Sequence, residues 1–158
     1  MANIFSGSEI VELGIQIEKN GRDFYNTIAG QTRDPRIKKV FVFLKGEEEK
    51  HIIVFQEMLE SVGRYEPPES YPGEYLAYMS ALAVEYVFTQ ENKGNEIAQK
   101  IKGDKEAVDI GIKFEKDSVV FYEGMKKVVP ISDHKAIDNL VAQEQSHLKQ
   151  LLDLRASI

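Results

Sequence analysis

Apolar residues recur along most of the chain at alternating steps of three and four, the spacing that keeps one face of an α-helix turned toward a core. Between 35 and 62 the inward positions read Ile37, Phe41, Leu44, Glu48, His51, Phe55, Met58 and Val62. In the last long segment they read Ile137, Leu140, Glu144, His147, Leu151 and Leu154. Four long helices are predicted. Ser8 is the expected N-cap of the first, which runs to about Ala29 before residues 30–34 break it. Asp34 caps the second, with Pro35 at its first position, where a missing N–H costs nothing. That helix runs to about Val62, and Gly63 supplies its stop. The turn-rich EPPESYPGE follows, then crossover material over 74–101, with one helix near 74–89 and a shorter one near 95–102. Gly103 and Asp104 restart the pattern for a third long helix ending at Pro130. Ser132 or Asp133 caps a fourth, running to about Arg155.

Two interruptions of the apolar pattern carry chemistry. Glu48 and His51 occupy slots that periodicity assigns to apolar side chains, and so do Glu144 and His147. Each pair is written Glu-x-x-His. A buried carboxylate is costly unless it is paired, hydrogen-bonded or bound to metal. The chain also repeats itself: residues 9–25 align without gaps on 106–122 at an offset of 97, with eight of 17 positions identical. Gly14/Gly111, Glu18/Glu115, Phe24/Phe121 and Tyr25/Tyr122 are among the matches, and the two Glu-x-x-His motifs are offset by 96. Each half is therefore a helix with one Glu followed by a helix with Glu-x-x-His. The predicted fold is all-α: two helical hairpins joined by a long, partly helical crossover between helices 2 and 3, making a four-helix bundle with pseudo-twofold symmetry.

Residues three apart lie one turn apart on the same helix face, so a Glu oxygen and a His nitrogen can reach one metal. Four glutamates and two histidines make a ligand set for two ions. Mixed carboxylate–imidazole ligation suits iron, manganese or zinc better than calcium or magnesium. Six side chains cannot fill two separate shells, so some glutamates must bridge. Tyr25 and Tyr122 lie seven residues after Glu18 and Glu115, two turns along the same face. A phenol there is placed to hydrogen-bond a carboxylate from the other half or to donate an electron; the alternative is a core aromatic with a satisfied hydroxyl. Gly21 and Ser118, three residues after the same glutamates, are small enough to leave space beside the metals for peroxide or dioxygen. Gly14 and Gly111 fit close helix packing, and Glu47, Glu49 and His134 fit a solvated face.

Composition narrows the field. With 158 residues the chain suits a single domain, and a net charge of −6 argues against nucleic acid as a partner. It contains no cysteine, which excludes disulfides, thiolate metal sites and iron–sulfur clusters and points to a reducing cytoplasm. The N-terminus lacks the pattern of a secretory signal, and the most apolar stretch, 75–88, is too short to span a membrane and carries Glu85. The aromatics Tyr75, Tyr78, Tyr86 and Phe88 in the crossover suggest a cover for the bundle or the interface of a homodimer.

At these residues the chain resembles the ferritin-like di-iron superfamily, and within it the rubrerythrin family. The resemblance covers roughly 8–62 and 104–156. It implies a ferritin-like bundle in which Glu18, Glu48, His51, Glu115, Glu144 and His147 ligate two iron ions, cycling between Fe2+ and Fe3+, with zinc or manganese as possible substitutes. It implies reduction of peroxide or dioxygen at this dinuclear non-haem centre. No cysteine-rich rubredoxin segment is present, so the electron donor would be a separate protein such as a rubredoxin. Ser118 stands where rubrerythrins place an additional glutamate, and Glu49 stands where bacterioferritins, which share the doubled motif, place a haem-binding methionine; no haem is expected. Iron storage with ferroxidase activity, or a non-redox helical module holding its metals for structure, are the alternative readings.

Overall fold

The computed structural model describes residues 6–63 and 74–158. Six α-helices are found there and no strand: α1 (Gly7–Gln31), α2 (Pro35–Val62), α3 (Glu74–Glu85), α4 (Lys93–Lys100), α5 (Asp104–Met125) and α6 (Ile131–Ala156). Helices α1 and α2 form one hairpin, α5 and α6 the other, and the two pack as a four-helix bundle. The crossover lies along the bundle, α3 against α5 and α1, and α4 against α1. Among the described residues no helix is long and apolar enough to cross a membrane.

Local chemistry fixes the helix ends. Helix α1 is capped by Ser6 rather than Ser8, because Glu9 stands three residues after Ser6 and completes a capping box. The Glu9 side chain accepts from the Ser6 N–H at 2.7 Å, and Ser6 Oγ accepts from the Glu9 N–H at 3.3 Å. Asp34 caps α2 by accepting from the Arg36 N–H at 2.8 Å, with Pro35 in the first turn. Glu74–Thr89 is not one continuous helix: α3 stops at Glu85 and a 3-10 turn covers Val87–Thr89. There Thr89 Oγ1 donates to the carbonyls of Ala83 and Tyr86, drawing the chain out of helical register. The third long helix does not reach Pro130. It tightens into a 3-10 turn over Lys126–Val128, which tucks Val128 and Val129 into the core. Helix α6 then starts at Ile131 with Pro130 at its N-cap, and Ser132 and Asp133 lie inside its first turn. The turn-rich stretch before Glu74 lies outside the described residues.

All the inward positions predicted for the second and fourth long helices are buried, the Glu and His residues included. Phe24, Tyr25, Phe41, Phe55, Phe121 and Tyr122 are the largest wholly buried side chains, and they pack edge to face. The crossover is bolted to α1 by Asn20. Its side-chain amide donates to the carbonyls of Phe88 and Gln90, both at 2.6 Å, and accepts from the Gly94 N–H at 3.1 Å. Gly94 must be glycine here, because a Cβ would fall 2.0 Å from the Asn20 carbonyl oxygen. Phe88 then packs on Phe24 and Phe114, so most of the crossover aromatics face the core; Tyr78 is the one of the four that is half exposed.

Candidate metal centre

The four central helices deliver Glu18 from α1, Glu48 and His51 from α2, Glu115 from α5, and Glu144 and His147 from α6 to one point in the bundle. All six are almost wholly buried. Their ligand atoms form two overlapping groups, each with all atoms within 4.8 Å of one another: Glu18, Glu48, His51 and Glu144 in one, and Glu48, Glu115, Glu144 and His147 in the other.

The oxygens divide cleanly. Around His51 Nδ1 lie Glu18 Oε2 at 3.3 Å, Glu48 Oε2 at 3.3 Å and Glu144 Oε1 at 3.0 Å. Around His147 Nδ1 lie Glu144 Oε2 at 3.0 Å, Glu115 Oε2 at 3.8 Å and Glu48 Oε1 at 4.0 Å. Glu48 and Glu144 thus turn one oxygen toward each histidine, the disposition a bridging carboxylate needs. Glu18 and Glu115 turn one oxygen inward, and the other accepts from a tyrosine of the opposite half. Tyr25 donates to Glu115 Oε1 at 2.5 Å, and Tyr122 donates to Glu18 Oε1. The imidazole rings stack with centroids 5.6 Å apart.

Buried polar atoms are normally satisfied, yet Glu18 Oε2, both oxygens of Glu48, His51 Nδ1, Glu115 Oε2 and Glu144 Oε1 have no hydrogen-bond partner. Six of the eight orphaned buried side-chain atoms among the described residues belong to these converging residues; the other two are Ser118 Oγ and Asp133 Oδ2. Four carboxylates and two imidazoles offer hard oxygen and borderline nitrogen donors, and two divalent cations would balance the four charges. The residues present therefore fit a dinuclear metal site.

Crowding sets the protonation of the metal-free site. Burial, then the charges of Glu18 and Glu144, push Glu48 well above the usual carboxylate range. Burial followed by Glu144 does the same to Glu115, and burial followed by Glu18 raises Glu144. For Glu18 burial also acts upward, but contacts with Glu48, His51 and Tyr122 prevail and hold it low. His51 is raised: burial opposes its charge, but Glu18 and Glu144 outweigh that. His147 is lowered, by burial and by the charge of His51. Burial, and then the neighbouring carboxylates, keep Tyr25 and Tyr122 protonated.

The match of a family model now decides the lineage: the rubrerythrin model covers residues 9–155. The chain belongs to the rubrerythrin family. A crystal structure of a protein from Thermotoga maritima, described as a candidate ferritin-like diiron-carboxylate protein, superposes with a TM-score of 0.73. It is 26% identical and the match covers 99% of this chain and 98% of that one. No curated protein matches the chain.

As a rubrerythrin-family chain, it has its own arrangement around the two small residues. Gly21 does not leave a void: the Phe114 ring fills the place, and a Cβ there would sit 2.4 Å from its tip. In the repeat Phe114 corresponds to Ile17, and Ser118 to Gly21. Beside Ser118 the smaller Ile17 leaves a cavity of about 10 Å³, room for one water-sized molecule, lined also by Tyr86, Phe88, Phe114 and Asp117. Ser118 Oγ is buried without a partner. Gly14 and Gly111 serve packing, Gly14 against Met125 and Phe55, Gly111 against Leu151 and Tyr25. Glu47 is not on a solvated face: its side chain is only 16% exposed, pairs with Lys50 and approaches His147. Two residues escape sequence reasoning. Gln143 meets the outer nitrogen of His51 at 2.8 Å, and Asn20 holds the crossover. Their only signal is polarity beside an inward-facing motif.

Proposed function

We propose that this protein is a di-iron carboxylate oxidoreductase that reduces peroxide or dioxygen at a dinuclear non-haem iron centre. One observation carries the reading: Glu48 and Glu144 each divide their two oxygens between two histidine-centred groups, with orphaned ligand atoms converging between them. Glu18, Glu48, His51 and Glu144 would hold one ion, and Glu48, Glu115, Glu144 and His147 the other. Bound there, a ferrous pair would supply one electron per ion to an oxidant, and the protein would supply the ligand geometry and the buried surroundings. Tyr25 and Tyr122 fix the orientation of Glu115 and Glu18 through the oxygens turned away from the metals. Glu48, Glu115 and Glu144 would give up the protons that burial holds on them when they take up metal.

Repeated reduction of peroxide or dioxygen needs electrons from a donor such as a separate rubredoxin, and removal of peroxide is the chemistry of a role against oxidative stress in the cytoplasm. A homodimer through the half-exposed Tyr78 and Val120 and the exposed Val84 completes the proposal. Anaerobic addition of ferrous iron to metal-free protein, followed by peroxide, tests it. Two irons per chain oxidised by peroxide support the reading, and metal loading without oxidation defeats it. Size-exclusion chromatography separates the dimeric enzyme from an iron-storage shell.

A further inference from the structure

In both halves the residue just before the Glu-x-x-His glutamate faces the outer nitrogen of the other half's histidine. Gln143, on α6, places Oε1 2.8 Å from Nε2 of His51 on α2. Glu47, on α2, places Oε2 3.9 Å from Nε2 of His147 on α6. The two are related by the same offset of 96 as the motifs they precede. Neither belongs to the ligand groups. Nδ1 of each imidazole faces the carboxylates, so with a cation bound on that side the proton would sit on Nε2, which looks toward Gln143 Oε1 in one half and Glu47 Oε2 in the other.

The acceptors differ in kind. Gln143 offers a neutral amide oxygen. Glu47 offers a carboxylate whose other oxygen, Oε1, is held by Lys50 Nζ at 2.5 Å, leaving Oε2 on the His147 side. The 3.9 Å separation is longer than a direct hydrogen bond, and a small side-chain rotation or one bridging water closes it. A carboxylate pulls on the Nε2 proton more strongly than an amide does, which makes the imidazole a better donor through Nδ1.

We propose that Gln143 and Glu47 are positioning residues that hold the two histidines crosswise, and that the amide–carboxylate difference makes the two metal positions unequal, the His147 position binding a divalent cation more tightly. This inference rests on the two-metal reading above. Anaerobic titration of metal-free protein with Co2+, followed by visible absorption and calorimetry, tests it without reference to turnover. The wild type should take up two ions in resolved steps. Glu47→Gln keeps shape and removes charge, so it should weaken the tighter step by roughly 10–100-fold and merge it with the second. Gln143→Glu should tighten the weaker step by a similar factor. Co2+ spectra of the first ion bound should shift in Glu47→Gln, which a merely structural role would not cause. Two steps that stay resolved and within about twofold of wild type in Glu47→Gln would overturn the inference and leave the dinuclear reading standing. Uptake of fewer than two ions by the wild type would overturn both.

Discussion

Glu48 is the ligand whose loss should separate stability from metal binding most sharply. Its side chain is fully buried and neither oxygen has a hydrogen-bond partner. Burial first, and then the charges of Glu18 and Glu144, keep it protonated in the metal-free protein. An unsatisfied buried polar group costs about 1–3 kcal/mol. Methionine has nearly the same length and helix propensity and needs no partner. Glu48→Met should therefore stabilise the metal-free protein by about 1–3 kcal/mol. For a chain of this size that is a rise in Tm of roughly 2–12 °C. The same change removes a member of both ligand groups, so added ferrous or cobaltous ion should no longer raise Tm as it does in the wild type. Melting followed by circular dichroism, with chelator and then with metal, reads both effects. Metal-free Glu48→Met melting at or below the wild type would refute the reasoning, because the orphaned carboxyl would then not be a cost.

Other consequences can be measured in the same way. Tyr122→Phe removes the donor to Glu18 without changing packing, and should weaken metal binding by roughly 10–100-fold in a chelator competition. The raised values of Glu48, Glu115 and Glu144 stabilise the metal-free fold fully below the unfolded value of 4.5, a contribution lost as pH rises through the folded values. Glu18 and His147, held low, act in the opposite sense, but Glu48, Glu115 and Glu144, joined near neutrality by the raised His51, outnumber them, so urea midpoints in chelator should fall between about pH 5 and about pH 7. Metal uptake near neutrality should release protons, detectable in a pH-stat. Asn20→Ala orphans two carbonyls and one N–H, and should cost about 1–3 kcal/mol or more and speed amide exchange across 88–94.

The bundle was legible because periodicity, repeat and turn chemistry agree. Every inward position from Ile37 to Val62 and from Ile137 to Leu154 is buried. Sequence reasoning fell short where the side chains of distant segments decide. Glu9 selects Ser6 over Ser8 as a cap, and Thr89 ends the crossover helix by bonding backwards. Phe114 fills the place that a small Gly21 suggested was empty, since a glycine reports what is missing on its own helix and not what its neighbour supplies. The six converging Glu and His residues were readable from the Glu-x-x-His spacing, the internal repeat that adds Glu18 and Glu115, and the family resemblance. How their oxygens divide was not, because the split of Glu48 and Glu144 between two histidines depends on how the hairpins pack. Gln143 and Glu47 stayed hidden for the same reason: their significance comes from the opposite helix.

The central claim is that one buried site holds two metal ions through shared glutamates. Anomalous diffraction at the iron edge, from crystals grown anaerobically with ferrous iron, tests it most directly. Two peaks are expected inside the bundle, one against His51 and Glu18 and the other against His147 and Glu115, both touching Glu48 and Glu144. A single peak, or peaks confined to the surface, would contradict it.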